Sequence, residues 1–196
     1  MKFILPAIAS LFLIVGCNSE EQPETLQKET PAAIISSINS IDDTLQDMTK
    51  KRMEIDSFKV DKLVYHKAIN RNKKFFRKYP SHDFAEQALQ NIASLYMQIG
   101  VERLATKWRD SILIHYPNTS NKIGLLELQM SYYDQDKYNP EQIQHYANRL
   151  LEIENLPPSK KELYEFRLKH IDKTFEELIE LQMQKMTDST DTPAAS

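Results

Sequence analysis

Cysteine and glycine are both scarce in this sequence. Cys17 is its only cysteine, so neither an intrachain disulfide nor a cysteine-based zinc site can form. Only three glycines occur in 196 residues, whereas a sheet protein of this length needs more residues that adopt positive φ in its turns. Residue types that favour helices, such as Leu, Gln, Glu and Lys, are frequent instead. The composition therefore predicts an all-α fold.

The sequence also lacks the signatures of catalysis, of metal binding and of nucleic-acid binding. Its formal net charge of -3 gives no electrostatic reason to expect a nucleic acid. It has five histidines but no His-Glu-x-x-His motif, no glycine-rich phosphate loop and no Gly-x-Ser-x-Gly turn. The pairs Asp42-Asp43 and Glu176-Glu177 cannot flank one substrate bond, because adjacent side chains on a helix point about 100° apart. We therefore expect a protein that is not an enzyme and holds neither a metal ion nor a dissociable cofactor.

The first residues have the pattern of a secretory signal that ends in a lipid attachment site. Lys2 precedes an apolar run over residues 3–15, which is too short for a membrane-spanning helix of about 20 apolar residues. The run closes with Ile-Val-Gly-Cys at residues 14–17. This quartet resembles the bacterial lipobox, which implies that residues 1–16 are a lipoprotein signal peptide and that Cys17 carries a covalent lipid. The alternative is a plain signal peptide with an incidental cysteine.

The residues after Cys17 bear on localisation. In the sorting rule of enteric bacteria, an aspartate directly after the lipidated cysteine retains the protein in the inner membrane, but this chain has Asn18 there. The resemblance therefore implies an outer-membrane lipoprotein that is held by its lipid and faces the periplasm. The run Ser19-Glu20-Glu21 also resembles acidic signals that send some Bacteroidetes lipoproteins to the cell surface, which is the alternative orientation.

Composition and helix-boundary signals divide the rest of the chain. Residues 17–30 are polar and predict a flexible tether, and residues 187–196 predict a disordered tail. Residues 31–186 between them form the predicted helical domain. The sequence leaves open whether its first two helices are one. The boundary signals predict about seven helices, at ~31–48, ~51–78, ~82–99, ~101–116, ~121–134, ~140–155 and ~159–186.

Two predicted helix starts are specific enough to check atom by atom. Asn139 precedes Pro140, which predicts an N-cap followed by a proline in the first helical position. Ser159 and Glu162 have the spacing of a capping box. The last predicted helix carries a heptad-like seam, which we expect to pack on the preceding helix pair, with a partner helix or a dimer as the alternative. The seam consists of Tyr164, Leu168, Ile171, Phe175 and Leu178.

A repeat runs through the middle of the chain. Tyr79-Pro80-Ser81 and Tyr116-Pro117-Asn118 lie 37 residues apart, and such a period with two helices per unit is typical of a helical solenoid. The unit between them resembles a tetratricopeptide repeat (TPR), which implies antiparallel helix pairs stacked as a short solenoid. The large residue that the family has four positions after Ala105 is Arg109 here. The alternative is a generic helical bundle. The residues that carry the resemblance are Leu89, Ile92, Ala93, Tyr96, Gly100, Ala105 and Pro117.

Together with the lipobox, the tyrosine-proline links resemble those of the BamD (YfiO) outer-membrane assembly lipoproteins and of the YbgF repeat domain. The resemblance covers about residues 60–155. It implies a scaffold without chemistry of its own that binds protein or peptide partners in envelope or outer-membrane protein assembly. The chain is shorter than a five-repeat BamD, so the resemblance concerns architecture. The alternatives are a cell-envelope coordinator acting near peptidoglycan or in cell division, and a lipoprotein subunit of an envelope enzyme.

The TPR resemblance also implies a binding surface, because the first helix of each pair lines the concave groove in that family. Amide side chains there would donate and accept hydrogen bonds with an extended peptide, and a methionine would add an adaptable apolar contact. An ordinary solvated helix face and the basic helix at Lys67–Lys78, which would suit an acidic partner or lipid headgroups, are the alternatives. The predicted peptide-binding residues are Gln87, Gln90, Asn91, Ser94 and Met97.

Overall fold

The structure is a computed structural model that describes residues 29–54 and 61–190. The predicted signal peptide, Cys17 and most of the predicted tether and tail lie outside these residues. Within the described ranges, no helix combines the length and the apolar character that a membrane span requires. The described residues form eight α-helices: α1 (Pro31–Glu54), α2 (Lys62–Lys78), α3 (Phe84–Gln98), α4 (Glu102–His115), α5 (Lys122–Ser131), α6 (Pro140–Leu151), α7 (Pro158–Lys169) and α8 (Phe175–Thr190).

The predicted all-α fold of stacked helix pairs is confirmed. No strand occurs in the part of the chain that the structure describes, and the helices pack in consecutive pairs in a TPR-like arrangement. Helices α1, α3 and α5 are the first members of three successive pairs, and α2, α4 and α6 are their second members. A five-residue π-helical turn, Tyr132–Asp136, follows α5 and leads into α6.

The larger of two apolar core clusters runs through the three pairs, and the smaller one consists of Ile34, Ile38, Phe75, Ala85 and Ala88. The buried residues of α3 recur every three or four positions, as expected of a helix that packs along one face. Ile41 and Leu45 of α1 and Leu125 and Leu126 of α5 belong to the same core cluster. The first helices therefore share one core. The buried residues of α3 are Ala85, Ala88, Leu89, Ile92, Ala93, Leu95 and Tyr96.

The turn between α3 and α4 has the structure that the repeat predicts. Gly100 has a φ of 71°, a left-handed conformation that glycine adopts without the steric cost of a Cβ atom. The backbone N–H of Val101 donates to the Tyr96 carbonyl oxygen over 2.9 Å, which closes the end of α3. Ala93 and Ala105 are 5% and 0% exposed. Both small residues thus lie where the predicted repeat requires burial.

Of the two specific helix starts, one is confirmed and one is wrong. The Asn139 side chain accepts a hydrogen bond from the backbone N–H of Gln142 over 3.1 Å, and Pro140 is the first residue of α6. The predicted capping box of Ser159 does not form, because α7 already begins at Pro158. The Pro157 carbonyl oxygen accepts from the backbone N–H groups of Lys160 and Lys161, so Ser159 lies inside the helix.

The prediction of one last helix over residues 159–186 is also wrong. Helix α7 ends at Lys169, and α8 begins at Phe175. Thr174 and Glu177 form a capping box at the new start: the Thr174 N–H donates to the Glu177 carboxylate over 2.7 Å, and the Glu177 N–H donates to the Thr174 hydroxyl over 3.3 Å. The heptad-like seam is therefore split between two helices, although Tyr164 is fully buried.

Candidate binding groove

Two adjacent hollows lie along α3. The larger hollow has a volume of about 460 Å³ and lies between α1 and α3. The smaller hollow has a volume of about 280 Å³ and is lined by α3, α4 and α5. Asn91 and Ser94 line both hollows. We call the continuous surface that they form the concave groove.

All five residues predicted from the repeat lie on this groove. They line the smaller hollow, where Gln87, Ser94 and Met97 are exposed and Gln90 and Asn91 are half-buried. The face of α3 opposite these residues is buried in the core. The buried face of α3 and the face that lines the smaller hollow are therefore on opposite sides of the helix.

A chain of amide hydrogen bonds fixes the middle of the groove to the core. The Gln87 amide N–H donates to the Asn91 side-chain oxygen over 2.8 Å, and the Asn91 amide donates to the side-chain oxygen of Asn72 over 3.1 Å. Asn72 is fully buried and donates to the Ala68 carbonyl oxygen over 3.0 Å. These bonds hold the Asn91 side chain in place and leave the Gln87 side-chain oxygen as an acceptor that faces the hollow.

Apolar side chains stand on two walls of the smaller hollow. Met97 of α3 is 44% exposed and Leu128 of α5 is 42% exposed. Ligand sites commonly combine apolar contact surface with a few oriented polar groups. The groove therefore offers both hydrogen-bonding groups and apolar contacts to a bound chain segment.

Charge in the groove is concentrated on α1. Asp42 and Lys50 both line the larger hollow. Burial raises the pKa of the Asp42 carboxyl above its ordinary value, and the neighbouring Asp43 raises it further. Within the described residues, the Asp42 carboxyl has no hydrogen bond and no ion pair. It is a half-buried carboxylate without a partner among the residues that the structure describes.

A buried arginine beneath the smaller hollow is the main feature that sequence reasoning missed. Arg109 is 2% exposed, and its Nε donates to the Gln129 side-chain oxygen over 2.8 Å. Its Nη2 donates to the Thr106 hydroxyl over 3.0 Å and pairs with Glu102. The guanidinium therefore joins α4 to α5. The sequence did indicate that this position is unusual, because the repeat family has a large residue where this chain has Arg109.

The same polar cluster extends to α6. The Tyr146 hydroxyl donates to the Asp110 carboxylate over 2.7 Å, and the Gln129 amide donates to that carboxylate over 2.6 Å. Burial raises the pKa of Tyr146, and its hydrogen bond to Asp110 raises it further. Tyr146 therefore stays a neutral donor, and three helices are fixed around the floor of the groove.

The cations of the basic helix α2 are largely engaged within the fold. Lys74 and Lys78 donate to the Glu29 carboxylate over 2.7 and 3.0 Å, and these bonds, Lys74 first, lower the pKa of Glu29. Lys73 donates to the Tyr96 hydroxyl over 2.7 Å. This side of the molecule is thus less available to an acidic partner than its sequence predicts.

The side chains of the concave groove are suited to binding an extended protein segment. They are mainly amides, hydroxyls and apolar groups, with one carboxylate, one ammonium and the almost fully buried guanidinium of Arg109. Amides and hydroxyls match the hydrogen-bonding groups of a peptide backbone. In the ranges that the structure describes, no group of three or more His, Cys, Asp or Glu side chains is placed to hold a metal ion.

The fold and the groove define a class of protein, namely an all-α protein of consecutive helix pairs in a TPR-like arrangement with two adjoining hollows along α3. Compared with known protein families, curated proteins and solved structures, the chain has no significant match. The functional assignment therefore depends on the residues of the concave groove.

Proposed function

We propose that this chain is a non-enzymatic, lipid-anchored scaffold that binds protein or peptide partners through its concave groove. Lipid on Cys17 holds it at the outer membrane with its helical domain in the periplasm. Its partners belong to the envelope or outer-membrane protein assembly machinery, as the resemblance to BamD and YbgF implies.

One observation carries this proposal: the first helices of three successive pairs line two adjoining hollows that combine apolar surface with hydrogen-bonding side chains. Gln87 and Asn91 are ordered by hydrogen bonds that reach the buried Asn72. Side chains ordered before binding lose less conformational entropy when a partner binds. The exposed Met97 lies beside them as an apolar contact.

The binding part of the proposal is tested by recovering partners with tagged, full-length protein from detergent-solubilised membranes. The test variant carries Gln87→Ala, Gln90→Ala and Met97→Ala, all on the concave groove. We expect it to lose the specific partners of the wild-type protein while its thermal unfolding stays close to that of wild type, because these side chains are exposed or half-buried.

The matched control removes two amides and one apolar side chain from second helices instead. It carries Ile114→Ala on α4 and Gln144→Ala and Asn148→Ala on α6, all of them exposed. This control should keep every partner. If the groove variant folds and keeps the same partners as the control, the groove is not the binding site.

The anchoring part is tested in the same cells. Wild-type protein should incorporate labelled palmitate and sediment with membranes, whereas Cys17→Ala should do neither, because a thioether-linked lipid requires the cysteine sulfur. The lipid anchor would be excluded if Cys17→Ala still sedimented with membranes and the wild-type protein incorporated no labelled palmitate.

A further inference from the structure

The larger hollow of the concave groove contains a carboxylate that the fold itself does not use. Asp42 lines this hollow, is half-buried, and has no hydrogen bond or ion pair among the described residues. A carboxylate that loses part of its hydration without gaining a partner costs free energy. The neighbouring Asp43 is exposed and does not line the hollow.

The groups around Asp42 do not neutralise it. The wall on α3 contributes uncharged side chains, among them Asn91, Ser94 and Gln98. On α1, Lys50 is the other charged group that lines the hollow. It lies eight residues further along the helix, which corresponds to about 12 Å at 1.5 Å per residue, too far for a direct ion pair. The Asp42 end of the hollow is therefore anionic.

We propose that Asp42 binds the cationic side chain of a lysine or arginine in the protein segment that occupies the concave groove. This inference rests on the proposed function and specifies the chemistry of the partner. A lysine ammonium or an arginine guanidinium supplies both the charge and the hydrogen-bond donors that the Asp42 carboxylate lacks. The volume of about 460 Å³ accommodates such a side chain together with part of its backbone.

Lys50 disfavours a second basic residue in the bound segment. An extended chain advances about 3.3 Å per residue, so a residue near Lys50 is about four positions away from the residue at Asp42. A second basic side chain there would be repelled, whereas a neutral or acidic one would not. The preferred segment is thus basic at one position and not basic about four positions away.

The test measures fluorescence anisotropy of three labelled nine-residue peptides with acetylated and amidated ends. All have alternating Gln and Ala, and the central residue is Lys, Gln or Glu. Full-length protein should bind the Lys peptide about tenfold more tightly than the Gln peptide, in the range expected for one charged hydrogen bond. The Glu peptide should bind most weakly.

Two isosteric variants test whether the preference for the Lys peptide depends on Asp42. Asp42→Asn should bind the Lys and Gln peptides equally, whereas Asp43→Asn, which removes the same charge one residue away, should keep the tenfold difference. Folding is checked by thermal unfolding at pH 7. Because the pKa of Asp42 is raised in the folded state, its ionised form destabilises the free protein above the ordinary pKa of aspartate. Asp42→Asn should therefore unfold at the same or a higher temperature.

The outcomes separate this inference from the proposed function. Equal binding of the three peptides by wild type, no binding of the Lys peptide, or a preference that persists in Asp42→Asn overturns the role of Asp42. If partners are nevertheless lost from the Gln87, Gln90 and Met97 variant, the groove remains the binding site and only the charge assignment fails. If that variant keeps its partners, the proposed function fails instead.

Discussion

At the scale of single residues, Arg109 departs from the repeat pattern and places a hydrogen-bonded guanidinium in the core. The residue is buried on α4 and is satisfied by Gln129 of α5 and by Thr106 and Glu102 of its own helix. A buried guanidinium tolerates few geometries, because each unmade hydrogen bond leaves a desolvated polar group. It therefore determines how the second and third helix pairs meet.

Replacing Arg109 by leucine should destabilise the protein by about 3 kcal/mol, because Gln129 and Glu102 lose their charged partner. Urea unfolding of Arg109→Leu, Gln129→Leu and the double variant measures the coupling between the two residues. We expect the double variant to be clearly more stable than the sum of the single effects predicts. Strict additivity would show that the Arg109–Gln129 contact does not stabilise the fold.

Which α3 residues line the smaller hollow was predictable from sequence, and the charged residues of the groove were not. The period of the apolar residues on α3 fixes its buried face, and this places Gln87 and Met97 on the opposite face. Asp42 and Asp43 look equivalent in sequence. Only the packing of α1 in the folded domain makes Asp42 half-buried and leaves Asp43 exposed.

At the scale of helices, the break between α7 and α8 shows that a capping box can start a new helix where the spacing of apolar residues predicts one continuous helix. The heptad-like seam predicted one helix, but Thr174 and Glu177 have capping-box spacing inside it. The Arg167 guanidinium makes bonds of 2.8–3.1 Å to the Asp134 carboxylate of the π-helical turn. It also donates to the His170 carbonyl oxygen over 2.7 Å. The capping box could therefore be predicted from sequence. The Arg167–Asp134 contact could not, because the two residues are 33 positions apart.

The tight crossing of α3 and α4 is tested by enlarging Ala105, which is 0% exposed. Ala105→Leu should overpack the core and lower the free energy of unfolding by about 1–3 kcal/mol. Ala33 is exposed on α1, so Ala33→Leu should change stability by less than about 0.5 kcal/mol. Equal thermal unfolding of Ala105→Leu and wild type would contradict the close helix packing of this repeat.

At the scale of the whole molecule, the end of the predicted tether is fixed to the helical domain. The Tyr79 hydroxyl donates to the Glu29 carbonyl oxygen, and Lys74 and Lys78 contact its carboxylate. Cys17 lies 12 residues before Glu29, and a chain of that length reaches at most about 43 Å. A lipid on Cys17 would thus keep Glu29, at the C-terminal end of α2, within that distance of the membrane. The groove on the first helices remains the surface proposed to bind partners.

Site-specific photocrosslinking tests most directly whether partners occupy the concave groove in the cell. A photoreactive phenylalanine analogue replaces Met97 in the groove or Ile114 on α4, which are 44% and 73% exposed. In irradiated cells that make the full-length protein, we predict discrete adducts from position 97 and none of these adducts from position 114. No adduct from position 97, or the same adducts from both positions, would contradict a binding groove formed by the first helices.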